Sequence, residues 1–436
     1  MRKSAGPIRP PPIEPARAAL AAGGAVMHVL IIPSWYSYQR SAGGGSFFRD
    51  QAQALAAAGH KVGVIYPKLW GLRDRRTGRL PEMNRIRAEN DGPVRVWRVD
   101  VLHRLPRMPF RDALTFAAAG RRLFDAYAAA EGRPDILHAH AALNGGVLAR
   151  RLSARTGIPF VLTEHSTDFA QGRLRWWQKR LIADVLGAAD ARLAVSPQLR
   201  DIIVDQYGAR ARPVTVVPNI LTPAFEQASP EDRPRGGPFV FLCVARISAE
   251  KNQEGLIRAF ARAFPRGDAA ADQTELHFIG SGDGAPLERL ADGLGLRGRV
   301  RVLGVMPPDE VRRHMAGADA VVLPSFVETF GVVVIEALSQ GTPVVATACG
   351  GPEGILIPQT GIVAPPRDEA ALAKALVDMR ERAGTFDRAA LRGTCLATYG
   401  RKAVVARLES IYARVLDREN ASGADRAQGA TERSIS

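Results

Sequence analysis

Short apolar, β-branched runs recur along this chain, each followed by a loop and an amphipathic stretch, and the series begins afresh after a Pro- and Gly-rich joint. The first series starts at Met27–Pro33 and continues with strands at Lys61–Tyr66, Val94–Val99, Asp135–His138, Phe160–Thr163, Ala191–Val195 and Val214–Val217. Helices are expected between them at Ser46–Ala58, Phe110–Ala130, Gly145–Thr156, Arg175–Gly187 and Pro197–Tyr207. The second series has strands at Phe239–Val244, Glu275–Ile279, Val300–Leu303, Ala320–Leu323, Pro343–Thr347 and Gly361–Val363. Strands buried on both faces and separated by helices make open parallel sheets, so the pattern demands two doubly wound α/β domains. Ligands of such sheets bind beyond the carboxyl ends of the strands, which puts the candidate site in a cleft between two facing halves.

Length agrees with that division. At roughly 100–200 residues per domain, 436 residues suit two or three domains. Hydrophobic residues make up 46% and charged residues 24%, the balance of a globular protein rather than of a disordered chain, a coiled coil or a collagen-like repeat. The expected organisation is a disordered leader over 1–26, a first domain over 27–217, a linker over 218–237 and a second domain over 238–400. A helix over 401–416 should pack back on the first domain, ahead of a polar, disordered tail over 417–436. Cys243, Cys349 and Cys395 are far apart and form no C-x-x-C, which excludes a disulfide framework and a zinc ribbon and points to a reducing, cytoplasmic setting. No apolar run is long enough to span a bilayer.

The sharpest motif is Pro324-Ser-Phe-Val-Glu328-Thr-Phe330-Gly331-Val-Val-Val-Ile-Glu336. Glu328 falls in a loop after a strand and Glu336 inside the helix that opens near Gly331. Such a helix start offers free backbone N–H groups to an anion, with Phe330 and Gly331 placed to supply them, while Glu336 is placed to accept hydrogen bonds from a ribose diol. Either glutamate alone reads more simply as a solvated surface residue. Arg246 and Lys251, just beyond the first strand of the second series, change the balance. A guanidinium fork and a compact ammonium at a strand's carboxyl end suit a diphosphate, although surface ion pairing would also account for each one. His138-Ala-His140 invites a metal reading, but no third ligand accompanies it, and strand-end histidines are the simpler explanation.

In their order, GGGSFFRDQ, AAAGHKVGV, ILHAH, LTEHSTDF, VVPN, VARISAEKN, FIGSGDG, ETFGVVVIE, GTPVVAT and GGPEGI resemble the family 4 retaining glycosyltransferases of GT-B fold, over about residues 27–416. IIPSWY and LTEHSTDF look like the bacterial subset that builds exopolysaccharide, capsule or lipopolysaccharide. The resemblance implies two facing Rossmann-like domains with a deep interdomain cleft. It also implies transfer of a sugar from a nucleotide-diphosphate sugar, with no cofactor and no metal. It places Gly44 and Gly45 against the donor diphosphate, Arg246 and Lys251 as its clamp, and Glu336 on the ribose. Glu328 and His165 would line the donor sugar, and Gly304 and Val305 would pass the base. The triple glycine of GGG leaves open which two approach the diphosphate.

The charge is lopsided. Residues 27–217 carry 29 basic and 16 acidic residues, while 218–436 carry 26 and 27. Within the basic half, Arg173-Leu-Arg-Trp176-Trp177-Gln-Lys179-Arg180 sets two tryptophans among four cations. That composition suits an anionic membrane surface and, with it, a saccharide or polyprenyl-diphosphate-linked acceptor on the inner face of a membrane. An ordinary helix with inward tryptophans is the plain alternative. A sugar-nucleotide epimerase of the same fold and a nucleic-acid or anionic-surface binding protein are the competing functions. The E-x7-E spacing argues against the first, and no helix-turn-helix or RNA-binding signature supports nucleic acid as a partner.

Overall fold

The structure is a computed structural model and describes residues 26–36, 46–71, 80–103, 108, 110–227, 236–267 and 272–433. Two parallel sheets form, as the alternation requires. The first has eight strands in the order β3-β4-β2-β1-β5-β6-β7-β8. They are β1 His28–Pro33, β2 Lys61–Trp70, β3 Ile86–Asp91, β4 Val94–Leu102, β5 Ile136–His140, β6 Phe160–Glu164, β7 Ala191–Ala194 and β8 Val214–Val216. All pairs are parallel except β3 with β4. The second sheet runs β11-β10-β9-β12-β13-β14, with β9 Phe239–Val244, β10 Thr274–Ile279, β11 Val300–Val302, β12 Ala320–Leu323, β13 Val344–Thr347 and β14 Gly361–Ala364. It is parallel throughout. Chain order reverses between β1 and β5 in one sheet and between β9 and β12 in the other, and a doubly wound sheet binds its ligand at such a reversal.

The helices that shape the site are α1 Ser46–Ala57, α2 Arg111–Glu131, α3 Val147–Thr156, α4 Trp176–Ala188, α5 Pro197–Tyr207 and α6 Pro223–Gln227 in or just after the first domain. The second domain adds α7 Gln253–Ala263, α8 Ala285–Gly293, α9 Pro308–Gly317, α10 Val332–Ser339, α11 Glu369–Arg382 and α12 Arg388–Tyr399. One apolar cluster runs through both domains, joining Leu199, Leu221 and Phe225 to Phe330, Ile355 and Tyr399, so the halves share a core at their joint.

The last helix, α13 Arg401–Arg433, does return to the first domain. Val404, Leu408, Ile411, Tyr412 and Val415 are buried with Val29, Ile31, Leu55 and Val161. It is longer than expected. The segment read as a tail after 416 is helical as far as Arg433, in keeping with a stretch that holds four Ala and three Arg and contains no Pro. Three elements were not foreseen: β3, whose polar IRAEND shows no apolar alternation, the short α6 inside the segment read as a linker, and α12. The leader up to Ala25 and linker residues 228–235 lie outside the described residues.

Candidate active site

Three strand-end loops of the second domain interlock around Glu328. Beyond β9, Arg246 is exposed and the chain makes a short turn over Ala249–Lys251. Asn252, in a left-handed conformation at φ 54°, donates from Nδ2 to the Pro324 carbonyl at 3.2 Å. The Phe326 N–H donates to the Glu250 carbonyl at 2.9 Å, tying the loop after β12 to the loop after β9. This docking places Lys251 Nζ 2.5 Å from Glu328 Oε1, and Ser325 Oγ donates to the same oxygen at 2.8 Å. The third loop follows β13. The Glu328 N–H donates to the Cys349 carbonyl at 2.9 Å, and the Glu353 carboxylate accepts from the Gly350 N–H at 3.0 and 2.9 Å. Backbone meets backbone here: a Cβ on Gly351 would sit 2.4 Å from the Phe330 main chain, and one on Gly350 would sit 2.5 Å from the Glu328 carbonyl oxygen.

Helix α10 opens from the same loop. Gly331 precedes it at φ 85°, a conformation that disfavours any side chain. The Phe330 ring is buried, edge-on to Tyr399 at 5.9 Å. Glu336 lies a turn further along, half-buried at the domain joint. The Thr222 hydroxyl sits between Glu336 and Asp50 of α1 and is 3.4 Å from Asp50 Oδ2. Burial, then the Asp50 charge, push the Glu336 carboxyl up to about 7, against the Thr222 hydrogen bond.

Across the cleft, His165 follows β6. The buried Glu164 carboxylate organises this corner, accepting from the N–H groups of Ala142, His165 and Ser166 at 2.8 Å each. The His165 ring stacks on Phe47 of α1 at 4.9 Å and meets Phe48 edge-on. Its Nε2 is 3.0 Å from His140 Nδ1, and Asn219 lies within hydrogen-bonding reach. His140 in turn packs on His138, whose nitrogens meet Tyr412 Oη at 2.6 Å and Thr163 Oγ1 at 2.7 Å. Burial lowers all three imidazoles, His138 and His165 to about 3, so the stack is neutral at ordinary pH. Among the described residues no group of three or more His, Cys, Asp or Glu side chains is arranged to hold a metal.

Arg246, Lys251, Glu328, Phe330 and Gly331 are thus gathered at the carboxyl edge of the second sheet, with Glu336 at the joint and His165 on the facing edge. Gly304, at φ 75° after β11, accepts from the Gly280 N–H at 2.8 Å, and Val305 is exposed beside it. The glycines of FIGSGDG serve close packing, since a Cβ on Gly280 would lie 2.0 Å from the Ala245 carbonyl oxygen. Gly44 and Gly45 lie outside the described residues. Sequence reasoning missed Ser325, Glu353, Thr222, Asp50 and His140 as neighbours of the site, and the ion pair of Arg173 with Glu250 at 2.7 Å between the two domains. GGGSFFRDQ, GGPEGI and ILHAH held Asp50, Glu353 and His140 without saying what they touch.

Two family models cover the chain end to end from 41 to 385: Glycosyltransferase Family 4 matches residues 41–224 and Glycosyl transferases group 1 matches residues 225–385. A D-inositol 3-phosphate glycosyltransferase of Geodermatophilus obscurus is 32% identical over 282 residues, 57% of this chain and 61% of that protein. The chain therefore spans less than two thirds of that relative's length. A glycogen synthase of Mycobacterium tuberculosis is 29% identical over 375 residues, 80% of this chain and 85% of that one. Among solved structures, sucrose-phosphate synthase from Thermosynechococcus elongatus superposes with a TM-score of 0.70 at 22% identity, over 90% of this chain and all of that one. Anabaena HepE in complex with UDP gives 0.65 at 18% identity, over 89% of this chain and all of that one.

Proposed function

Because the chain belongs to the family 4 glycosyltransferases of GT-B type, we propose that it moves a sugar, with retention, from a nucleotide-diphosphate sugar to a saccharide or lipid-linked saccharide in cell-surface polysaccharide synthesis. The observation that carries this reading is the Lys251–Glu328 pair, held by three interlocking loops beside Arg246 and the start of α10. A donor diphosphate there meets two cations and a helix N-terminus, and its ribose meets Glu336. The bond between the sugar's anomeric carbon and the phosphate oxygen breaks, and its electron pair leaves with the diphosphate. Arg246, Lys251 and the helix dipole stabilise the charge that gathers on the leaving oxygens. The acceptor hydroxyl attacks from the same face and passes its proton to the departing phosphate. Glu328 and His165 hold the sugar's hydroxyls, His165 as a neutral imidazole.

HepE in complex with UDP supports a nucleotide donor, and one relative being a D-inositol 3-phosphate glycosyltransferase and another a glycogen synthase supports an acceptor that varies within the family. Among the described residues no helix is long and apolar enough to cross a membrane. We place the protein in the cytoplasm, peripheral on the inner membrane face.

Incubation with UDP-, GDP- and ADP-sugars tests the reading through release of the nucleoside diphosphate. One donor should turn over, and Lys251→Ala and Glu328→Ala should each lower the rate by at least about a hundredfold with the fold intact. Conversion of the donor to its epimer, or wild-type turnover in both variants, would contradict it.

A further inference from the structure

The first turns of α2 and α4 lie side by side. Phe110, at φ 64° just before α2, sets its ring 5.8 Å from Trp176 and 5.7 Å from Trp177, the opening residues of α4. The two tryptophans differ sharply: Trp177 is 8% exposed and Trp176 is 68% exposed. Met108 and Leu114 are also large apolar residues open to water. They belong to the same turn, since the Met108 carbonyl accepts from the Arg111 N–H at 3.3 Å and the Leu114 N–H donates to the Phe110 carbonyl at 2.9 Å. Single exposed apolar residues need no explanation, but a group of them on one face marks an interaction surface. Arg111, Arg175 and Lys179 are exposed around this group and have no carboxylate partner among the described residues. The nearest acid on α2, Asp112, is already engaged by His103 Nε2 at 2.7 Å.

Position gives the patch its meaning. Both helices start where β4 and β6 end, so their first turns stand on the carboxyl side of the sheet, at the cleft. Arg173, three residues before Trp176, reaches over to Glu250 at 2.7 Å, next to Lys251. An aromatic and aliphatic group ringed by unpaired cations therefore borders the cleft mouth. We propose that this face docks on an anionic lipid bilayer, with Trp176, Phe110, Met108 and Leu114 at headgroup level and Arg111, Arg175 and Lys179 on acidic headgroups. Charge complementarity selects a lipid surface over a neutral protein partner. The proposal deepens the transfer reading by giving the acceptor a lipid anchor at the cleft mouth, and it depends on that reading for nothing else.

The test is co-sedimentation of the full chain with phosphatidylcholine vesicles, with and without phosphatidylglycerol. Binding is expected only to the anionic vesicles and should weaken as salt rises. Trp176→Ala combined with Lys179→Glu should reduce partitioning by at least about tenfold. Arg289→Glu, a charge reversal on α8 in the other domain, should leave it unchanged. Circular dichroism and nucleoside-diphosphate binding, measured on the same variants, keep a failure of docking distinct from a failure of the fold or of the donor site. Absence of binding to anionic vesicles at low salt would overturn the proposal. So would equal binding by the patch variant, or a dimer in sedimentation velocity that Trp176→Ala dissolves, which would make the face a contact between copies.

Discussion

Glu336 carries the most informative protonation equilibrium in the site. Its carboxyl is raised from 4.5 to about 7, so the fold favours the protonated form. That contribution to stability is fully present below the unfolded value and is lost as pH rises through about 7. Thermal unfolding of the nucleotide-free protein should therefore show stability falling between about pH 5 and 8, with a shallower fall in Glu336→Gln. Equal slopes would remove this assignment. In the proposed donor pose, ribose hydroxyls would donate to the ionised carboxylate and pull the group the other way, so nucleotide binding near pH 6.5 should release a proton. Titration heats measured in buffers of different ionisation enthalpy report that release directly. At this scale the sequence was partly legible. Glu328 and Glu336 stand out because a strand end and a helix start fix their spacing. Asp50 and Thr222 do not, because they meet Glu336 only where a first-domain helix and the linker close on the second domain.

At the scale of elements, the loop after β13 explains why two adjacent glycines follow GTPVVATAC. Gly351 lies against the Phe330 main chain, and main chain has little room to retreat. Gly351→Ala should displace the Glu328 loop, costing about 1–3 kcal/mol of stability and most of the turnover. Wild-type activity in a stable Gly351→Ala protein would show that this packing does not position Glu328. Strands buried on both faces were readable because their apolar runs have no competing pattern. The edge hairpin was not, because IRAEND gains its strand conformation from pairing with β4 rather than from its own residues. His140 was legible as a strand-end histidine but not as the partner of His165, since that contact joins two neighbouring strands through side chains alone.

The whole molecule is two Rossmann-like domains joined by the apolar joint, by α13 crossing back to the first sheet and by the Arg173–Glu250 ion pair. Leu408 is fully buried among first-domain residues. Leu408→Ala should cost about 2–5 kcal/mol in denaturant unfolding although it lies near the end of the chain, and a loss below about 1 kcal/mol would mean that α13 is not part of that core. The surplus of basic residues is a property of this scale too. It lies mostly in the first domain, away from the proposed clamp of Arg246 and Lys251, so net charge reports a surface and not the proposed site. The central claim is that the loops after β9, β12 and β13 build a diphosphate clamp. Calorimetric titration with UDP, GDP and ADP tests it most directly. One nucleotide should bind the wild-type protein, and Lys251→Ala should weaken it by at least about tenfold through loss of a charge-assisted contact. Binding of none of the three, or unchanged affinity in Lys251→Ala, would contradict the account.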